Sequence, residues 1–259
     1  MRLVTIVLGV SLLLGVPTAP THAQQPDSTQ LKKFQRANGF LRADQPERAL
    51  PLLEDLYTDA PQNTAFYRKL KQTYESIKRY DDALQLVDDR IDSAPTVSLL
   101  AEKARLLYQK GEVDAANDTW DRAVALAPSR PQTYRTVYNV LAEVRHFRKA
   151  IAVLREGRDA LNRPGAFRTE LAQLYGLDGQ FEAAMQEYVA LLSEAPGRLN
   201  YVRNQLQTFV EQGQGLEASI QVLQQTVQET PLNEAYRELL AWLYTERDDY
   251  TAAFDEYRA

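Results

Sequence analysis

Few side chains in this sequence could take part in catalysis or metal binding. None of the 259 residues is a cysteine, which excludes disulfides, thiolate metal sites and cysteine nucleophiles. The two histidines, His22 and His146, provide little material for metal ligation or general base catalysis. Asp88-Asp89 is a candidate carboxylate pair for acid–base catalysis, but its context predicts a solvated surface position. We therefore predict no catalytic residue, no metal and no cofactor, and a protein that is not an enzyme.

The sequence also lacks the motifs and the charge of several ligand-binding classes. No P-loop, G-x-G-x-x-G, G-x-S-x-G or H-E-x-x-H motif occurs. Lys and Arg number 30 and Asp and Glu number 35, which gives a formal net charge of −5. Because nucleic-acid binding needs a basic excess, nucleic acid is not an expected partner.

The elements that would position a functional residue recur with a period of about 34 residues. One alanine marks each period: Ala49, Ala83, Ala116, Ala150, Ala184, Ala218 and Ala253. Nine residues before each alanine lies a large apolar residue: Phe40, Tyr74, Leu107, Leu141, Tyr175, Phe209 and Tyr244. Each period fits two amphipathic helices joined by a short turn, and a small residue would let the second helix approach the first closely. The sequence therefore predicts stacked helix pairs and no strands.

These residues resemble the tetratricopeptide repeat family, and the resemblance covers nearly all of the chain after residue 28. It implies an all-α fold, a right-handed α-solenoid of helix-turn-helix repeats. The predicted repeats span about 30–61, 64–95, 97–128, 131–164, 165–196, 199–231 and a truncated 234–259. Asp44 is expected to cap the second helix of the first repeat, and His146 to lie in the turn of the fourth.

The last helix pair is expected to leave an apolar edge uncovered. The residues of this edge are Tyr244, Ala253, Phe254 and Tyr257. Because a solenoid needs a polar outer face on its terminal repeat, we expect the natural chain to continue past Ala259; the alternative is that the last helix frays.

The resemblance implies that a partner binds to the first helices of the repeats, which in this family line a concave groove. The predicted groove is the polar stripe beside the core on these helices. It comprises Arg68, Gln72, Glu75, Arg105, Tyr108, Arg135, Asn139, Gln173, Arg203 and Gln207. Four of these residues are arginines, whose planar guanidinium groups suit carboxylates. The predicted partner is therefore a protein or extended peptide, acidic or carboxylate-bearing, and the alternative is ordinary solvated charge on exposed helices.

The first 23 residues form a separate segment. Arg2 precedes the apolar run Leu3–Val16, and the segment ends in Thr21-His22-Ala23. This arrangement is typical of a secretory signal peptide cleaved after the last of these residues, followed by a polar linker over 24–29. The apolar run is shorter than the roughly 20 residues that span a bilayer. We expect export to the bacterial periplasm or cell envelope, or secretion, without stable membrane insertion after cleavage; an uncleaved anchor is the alternative.

The predicted function is a non-enzymatic scaffold or adaptor that binds a protein or peptide partner in the groove, in the bacterial cell envelope. One alternative is the N-terminal repeat portion of a larger envelope enzyme or assembly factor. Another is a solenoid that binds a glycan or small molecule through Tyr108, Arg105 and Arg135.

Overall fold

The structure, a computed structural model, describes residues 27–210, 213 and 215–258. These residues form fourteen α-helices and a 3-10 turn at Pro196–Arg198, and none of them lies in a β-strand. The helices are α1 (Ser28–Arg42), α2 (Pro46–Asp59), α3 (Thr64–Ser76), α4 (Tyr80–Ser93), α5 (Val97–Lys110), α6 (Val113–Ala125), α7 (Pro131–Glu143), α8 (Phe147–Ala160), α9 (Arg168–Leu177), α10 (Phe181–Glu194), α11 (Leu199–Val210), α12 (Leu216–Glu229), α13 (Glu234–Glu246) and α14 (Tyr250–Arg258). The prediction of an all-α chain of repeated helix pairs is confirmed. Odd-numbered helices are the first helices of the pairs, and even-numbered helices are the second.

The predicted signal peptide, residues 1–23, lies outside the described residues, as do residues 24–26 of the predicted linker. Among the helices that the structure describes, none combines the length and the apolar character that crossing a bilayer requires.

The chain forms two compact units, and the first ends at Ile77. Its described helices are α1, α2 and α3, and α2 packs against both of the others. The first helix begins at Ser28 because the Asp27 carboxylate caps it, accepting hydrogen bonds from the backbone amides of Thr29 and Gln30 at 2.8 and 2.7 Å. Ser28 and Thr29 therefore belong to α1, although the sequence interpretation assigned them to the linker.

The second unit begins at Lys78 and contains α4 to α14. First and second helices pack together within pairs, as α5 does with α6, α9 with α10 and α13 with α14. Successive pairs also touch, since α5 contacts α7, α10 contacts α12 and α11 contacts α13. Each pair thus buries its apolar face against the next one, and contacts between neighbouring repeats provide much of the stability of such an array.

The fourth residue of each second helix is small and buried. Six of these residues are alanines that are at most 5% exposed: Ala49, Ala83, Ala116, Ala150, Ala184 and Ala253. In α12 the fourth residue is the fully buried Ser219, whereas Ala218, which the periodicity indicated, is only half-buried. The starts of α11 and α12 are 216 − 199 = 17 residues apart, against 250 − 234 = 16 for the next pair. The additional residue shifts the register, so the assignment of Ala218 to the buried position was wrong.

In six of the pairs, the turn contains a residue with left-handed backbone two positions before the second helix. These residues are Asp44, Lys78, Gly111, Arg145, Gly179 and Asp248. Glycine adopts this conformation readily, whereas other residues there bear a cost of roughly 1–2 kcal/mol each. Asp44 has a φ of 53°, and α2 begins after Gln45 without a side-chain cap. The prediction that Asp44 caps α2 was therefore wrong.

Part of the expected apolar edge is present on α14. Phe254 and Tyr257 are 57 and 62% exposed, and Tyr250 is 64% exposed. Tyr244 and Ala253, in contrast, are buried in the core shared by α10, α12 and α13. The exposed edge is therefore narrower than the sequence interpretation expected.

Candidate functional site

Polar side chains that the sequence placed in a groove connect successive first helices of the second unit. Arg135 on α7 donates a hydrogen bond from Nε to Oε1 of Glu170 on α9, at 2.9 Å. Gln173, close to one turn further along α9, donates from Nε2 to Oε1 of Gln205 on α11, also at 2.9 Å. Residues 135 and 173 thus face the next first helix along the chain.

A third contact extends this series to α13. Arg203 on α11 lies with Nη1 3.7 Å from Oε1 of Glu238, and its guanidinium lies over the Trp242 ring, 5.4 Å from the centroid. Arg135 lies in a similar way over the ring of Phe167, at 5.2 Å. We call the connected residues the polar ladder: Arg135, Glu170, Gln173, Gln205, Arg203 and Glu238. Both ladder arginines thus contact a carboxylate and an aromatic ring of their own chain.

The ladder determines the ionisation of Glu170. Burial by itself would raise the pKa of this carboxyl, but hydrogen bonds from Arg135, from its own backbone amide and from Thr169 outweigh burial, and the pKa of Glu170 is lowered. The carboxylate therefore stays ionised at neutral pH and neutralises Arg135 locally. A carboxylate of a ligand would have to compete with Glu170 for this guanidinium.

The other predicted groove residues of the second unit differ in exposure. Arg105 is only 8% exposed, and its guanidinium donates a hydrogen bond within α5. Tyr108 is half-buried, and its ring stacks on that of His146 at the start of α8, with centroids 5.0 Å apart. Asn139 and Gln207 are exposed. Solvent therefore reaches the two amides, whereas Arg105 and Tyr108 take part in packing between helices.

In the first unit, Arg68, Gln72 and Glu75 lie on α3 at spacings of four and three residues, which places them on one face. Arg68 and Gln72 are exposed, and the Gln72 side chain accepts a hydrogen bond from Lys69 Nζ at 3.4 Å. Glu75 is half-buried, 3.6 Å from Lys71 Nζ. The positive Arg68 is therefore the most accessible charge of this predicted stripe.

A cavity of about 720 Å³ opens beside Arg135. Its walls are the start of α7, the connection 161–167 between α8 and α9, the first turn of α9 and the end of α10. Its charged lining residues are Arg135, Arg163, Arg168, Arg198, Glu170 and Glu194. We call this cavity the arginine pocket. Four positive and two negative side chains give it a local charge of 4 − 2 = +2, although the whole chain has a net charge of −5.

Ion pairs hold the connection that forms this pocket. Arg158 on α8 donates two parallel hydrogen bonds to Glu187 on α10, at 2.6 and 2.7 Å, and its Nε donates to the carbonyl of Ala166 at 2.7 Å. Arg168 donates to Oε1 of Glu194 at 2.8 Å, and this hydrogen bond raises the pKa of Arg168 and lowers the pKa of Glu194. Charge-assisted bonds thus anchor the connection to α8 and α10.

Phe167, the last residue of the connection, has a φ of 59°, which is rare for an aromatic residue. Its side chain is buried against Tyr134, with ring centroids 6.1 Å apart. Gly157 makes this contact possible, because a Cβ there would approach Tyr134 to 2.7 Å and Phe167 to 2.9 Å. Packing therefore compensates for the strained backbone and fixes one wall of the pocket.

Within the described part of the chain, no three His, Asp or Glu side chains come together as a metal site would require. The carboxylates considered for acid–base chemistry make surface contacts instead. Asp88 lies 2.6 Å from Lys103 Nζ, and Asp89 accepts a hydrogen bond from Gln85 at 2.8 Å.

Comparison with known proteins identifies the type of repeat in one part of the chain. Residues 40–102 match the tetratricopeptide repeat family. This segment runs from the end of α1 into α5 and contains two of the buried alanine positions that recur along the described chain. This segment therefore consists of tetratricopeptide repeats.

The repeat protein is similar to several solved structures. A tetratricopeptide repeat protein from Parabacteroides merdae is 12% identical, with 89% of this chain and 91% of that chain covered and a TM-score of 0.42. The C-terminal part of a TPR repeat-containing protein from Cytophaga hutchinsonii is 18% identical, with coverages of 87 and 93% and a TM-score of 0.40. PilW, a type IV pilus biogenesis factor, is 16% identical, with coverages of 90 and 92% and a TM-score of 0.38. None of the curated proteins matches this chain.

Sequence reasoning did not find the arginine pocket of the repeat protein. Arg163 and Arg198 lie between helices, outside the repeated pattern of buried residues. The available signal was length: the connection 161–167 has seven residues, more than any other connection between consecutive pairs in the described segments. Long connections on a rigid scaffold often carry function.

Proposed function

We propose that this repeat protein is a non-enzymatic scaffold that binds an extended segment of another protein. The binding surface is the row of first helices α7, α9, α11 and α13. The observation that carries this proposal is the polar ladder, which joins these four helices. In each of its contacts, one partner is a side chain that the sequence predicted to meet a partner protein: Arg135, Gln173 or Arg203.

The ladder is suited to binding because its long side chains are both ordered and accessible. Arg135, Arg203 and Glu238 are 46, 33 and 50% exposed, although each already has a partner in the chain. A partner therefore meets side chains that have lost much of their conformational freedom in advance, which lowers the entropic cost of binding. An extended segment offers backbone and side-chain polar groups at regular intervals, as a row of this kind requires.

The proposed location is the bacterial periplasm or cell envelope. Its support is the composition of residues 1–23, in which Arg2 precedes the apolar run Leu3–Val16. A tagged full-length chain should therefore appear in the periplasmic fraction, shortened at its N-terminus. Deletion of the apolar run should keep the chain in the cytoplasm. The same distribution for the full-length chain and the deletion variant would contradict this location.

The test of the scaffold function uses a pair of blocking variants. Asn139 is exposed on α7, one turn beyond Arg135, and Ala152 is exposed on the second helix α8. Asn139→Trp places a bulky side chain on the proposed surface without breaking a ladder contact. Ala152→Trp places the same side chain elsewhere on the same helix pair. Both variants should retain the circular dichroism spectrum of the parent.

Partners captured from envelope extracts by the immobilised parent chain are then quantified for each variant. The proposal requires that at least one protein be retained by the parent and by Ala152→Trp and be lost with Asn139→Trp. Equal retention by all three chains would show that the first helices are not the binding surface.

A further inference from the structure

The geometry points to the arginine pocket as the subsite that selects an acidic partner. We infer that it takes a peptide segment in which Asp or Glu stands next to an apolar residue. This inference rests on the proposed scaffold function and specifies the chemistry of the partner. It assigns the acidic preference to Arg163 and Arg198, not to the ladder arginines that the sequence suggested.

The first reason is the distribution of paired and unpaired cations. Arg135 and Arg168 already bind Glu170 and Glu194. Arg163 and Arg198 also line the pocket and are exposed, and neither guanidinium has a hydrogen bond or ion pair within the described residues. The two unpaired guanidinium groups are therefore the ones that an incoming carboxylate reaches without displacing an acid of the chain.

The second reason is the local balance of charge. The pocket has a charge of +2 while the chain as a whole is acidic. An acidic segment is therefore attracted to the pocket although the chain as a whole is acidic, so the pocket determines where on the chain the segment binds. Guanidinium groups bind carboxylates through two parallel hydrogen bonds, which makes arginine more discriminating than lysine at such a site.

The third reason is the size and lining of the cavity. Its volume of about 720 Å³ lies within the range of ligand pockets and is far larger than a single inorganic anion needs. Leu161, Pro164 and Leu191 line it together with the arginines. A carboxylate beside an apolar side chain would use both kinds of surface, whereas a free phosphate would leave the apolar part unused.

The fourth reason is rigidity. Arg158 fixes the connection through Glu187 and the carbonyl of Ala166, and Phe167 is held in its unusual backbone conformation by packing. A connection held in this way keeps Arg163 in a defined place, while Arg198 ends the short 3-10 turn that follows α10. Less order then has to be created when a peptide binds.

The experiment measures binding of a fluorescein-labelled peptide, with Glu and Leu residues separated by glycines, to the full chain by fluorescence anisotropy. A second peptide has Gln in place of every Glu, and inorganic phosphate serves as a competitor. The pocket variant is Arg163→Gln with Arg198→Gln. The matched control is Arg122→Gln with Arg155→Gln, which removes the same charge from exposed arginines of α6 and α8 that do not line the pocket.

At physiological ionic strength we expect the pocket variant to bind the Glu peptide at least about tenfold more weakly than the parent, because two bidentate contacts are lost. The control should change the affinity less than about twofold, since distant surface charges are screened. The Gln peptide should bind weakly to every chain.

Equal losses in the pocket and control variants would overturn the inference, because they would show an effect of net charge alone. Equal binding of the Glu and Gln peptides, no binding of either, or displacement by phosphate at the peptide's own concentration would overturn it as well. These outcomes leave the scaffold function intact, because that function is judged by partner loss with Asn139→Trp.

Discussion

Replacement of Ser219 by alanine is expected to stabilise the protein. Ser219 occupies the position that alanine fills in the other second helices, and it is fully buried. Its hydroxyl finds no hydrogen-bond partner among the described residues. The substitution removes one buried polar atom. It also gives α12 an alanine at the buried position that Ala184 occupies in α10.

The expected increase in the free energy of unfolding follows from the burial of the Ser219 hydroxyl and from its lack of a hydrogen bond. A buried hydroxyl without a hydrogen bond costs about 1–3 kcal/mol, as estimated from mutational data. Alanine also has the higher helix propensity, which adds a few tenths of a kcal/mol. Because only one atom is removed, the cavity left behind is small. We expect the free energy of unfolding to rise by roughly 1–2 kcal/mol. For a domain of this size, each kcal/mol raises the thermal midpoint by about 2–4 °C.

Urea and thermal unfolding followed by circular dichroism measure the effect, and hydrogen exchange of the α12 amides localises it. The reciprocal variant Ala184→Ser is the control, because it places a hydroxyl at the equivalent fully buried site of α10. It should lose a similar amount of stability. A lower midpoint for Ser219→Ala, or an unchanged midpoint for Ala184→Ser, would refute the reasoning.

Two further predictions concern a pair of glycines and the histidine. Gly111 has a φ of 97° and an added Cβ there would touch nothing, so Gly111→Ala should lower the free energy of unfolding by about 1–2 kcal/mol through backbone strain alone. Gly39→Ala in helix α1, where a Cβ also meets nothing, should raise it by about 0.5–1 kcal/mol. Burial, and then the charge of Lys149, lower the pKa of His146 from 6.5, so stability should decline as the pH falls through 6.5.

Urea unfolding of the two glycine variants tests the first of these predictions, and effects of the same sign at both sites would contradict it. For the histidine, the folded state favours the neutral ring, so the unfolded chain binds more protons between the folded pKa and 6.5. His146→Gln should therefore flatten the pH dependence of stability in this window. An unchanged slope would show that the ring near Tyr108 does not cause it.

The helix pairs were predictable because amphipathic periodicity is a local property of the chain. Ala184, with large apolar residues before it at helical spacing, specifies which face of its helix is buried regardless of what lies beyond it. The same reasoning missed the register of α12, where an extra residue before the helix makes Ser219 the buried residue in place of Ala218. A period counted along the sequence does not show that a residue has been added before a helix, and so it does not show which residue of that helix is buried.

The candidate site was predictable only in part. The sequence correctly placed Arg135 and Arg203 on first helices, but it did not show that Glu170 and Glu238 oppose them on the next ones. It also did not show that Arg105 is buried. The charge that a residue offers to a partner depends on neighbours that are far away in the chain.

Residue types and their spacing thus account for the helices, for the small residues between them and for the repeats that residues 40–102 share with a known family. Helix formation and amphipathic burial both follow a local periodicity. The pairing of arginines, the strained Phe167 and the arginine pocket emerge only when the helices are packed. Their cause is the approach of side chains that are distant in sequence, and ion pairs and cavities depend on separations of a few ångströms that no one-dimensional pattern contains.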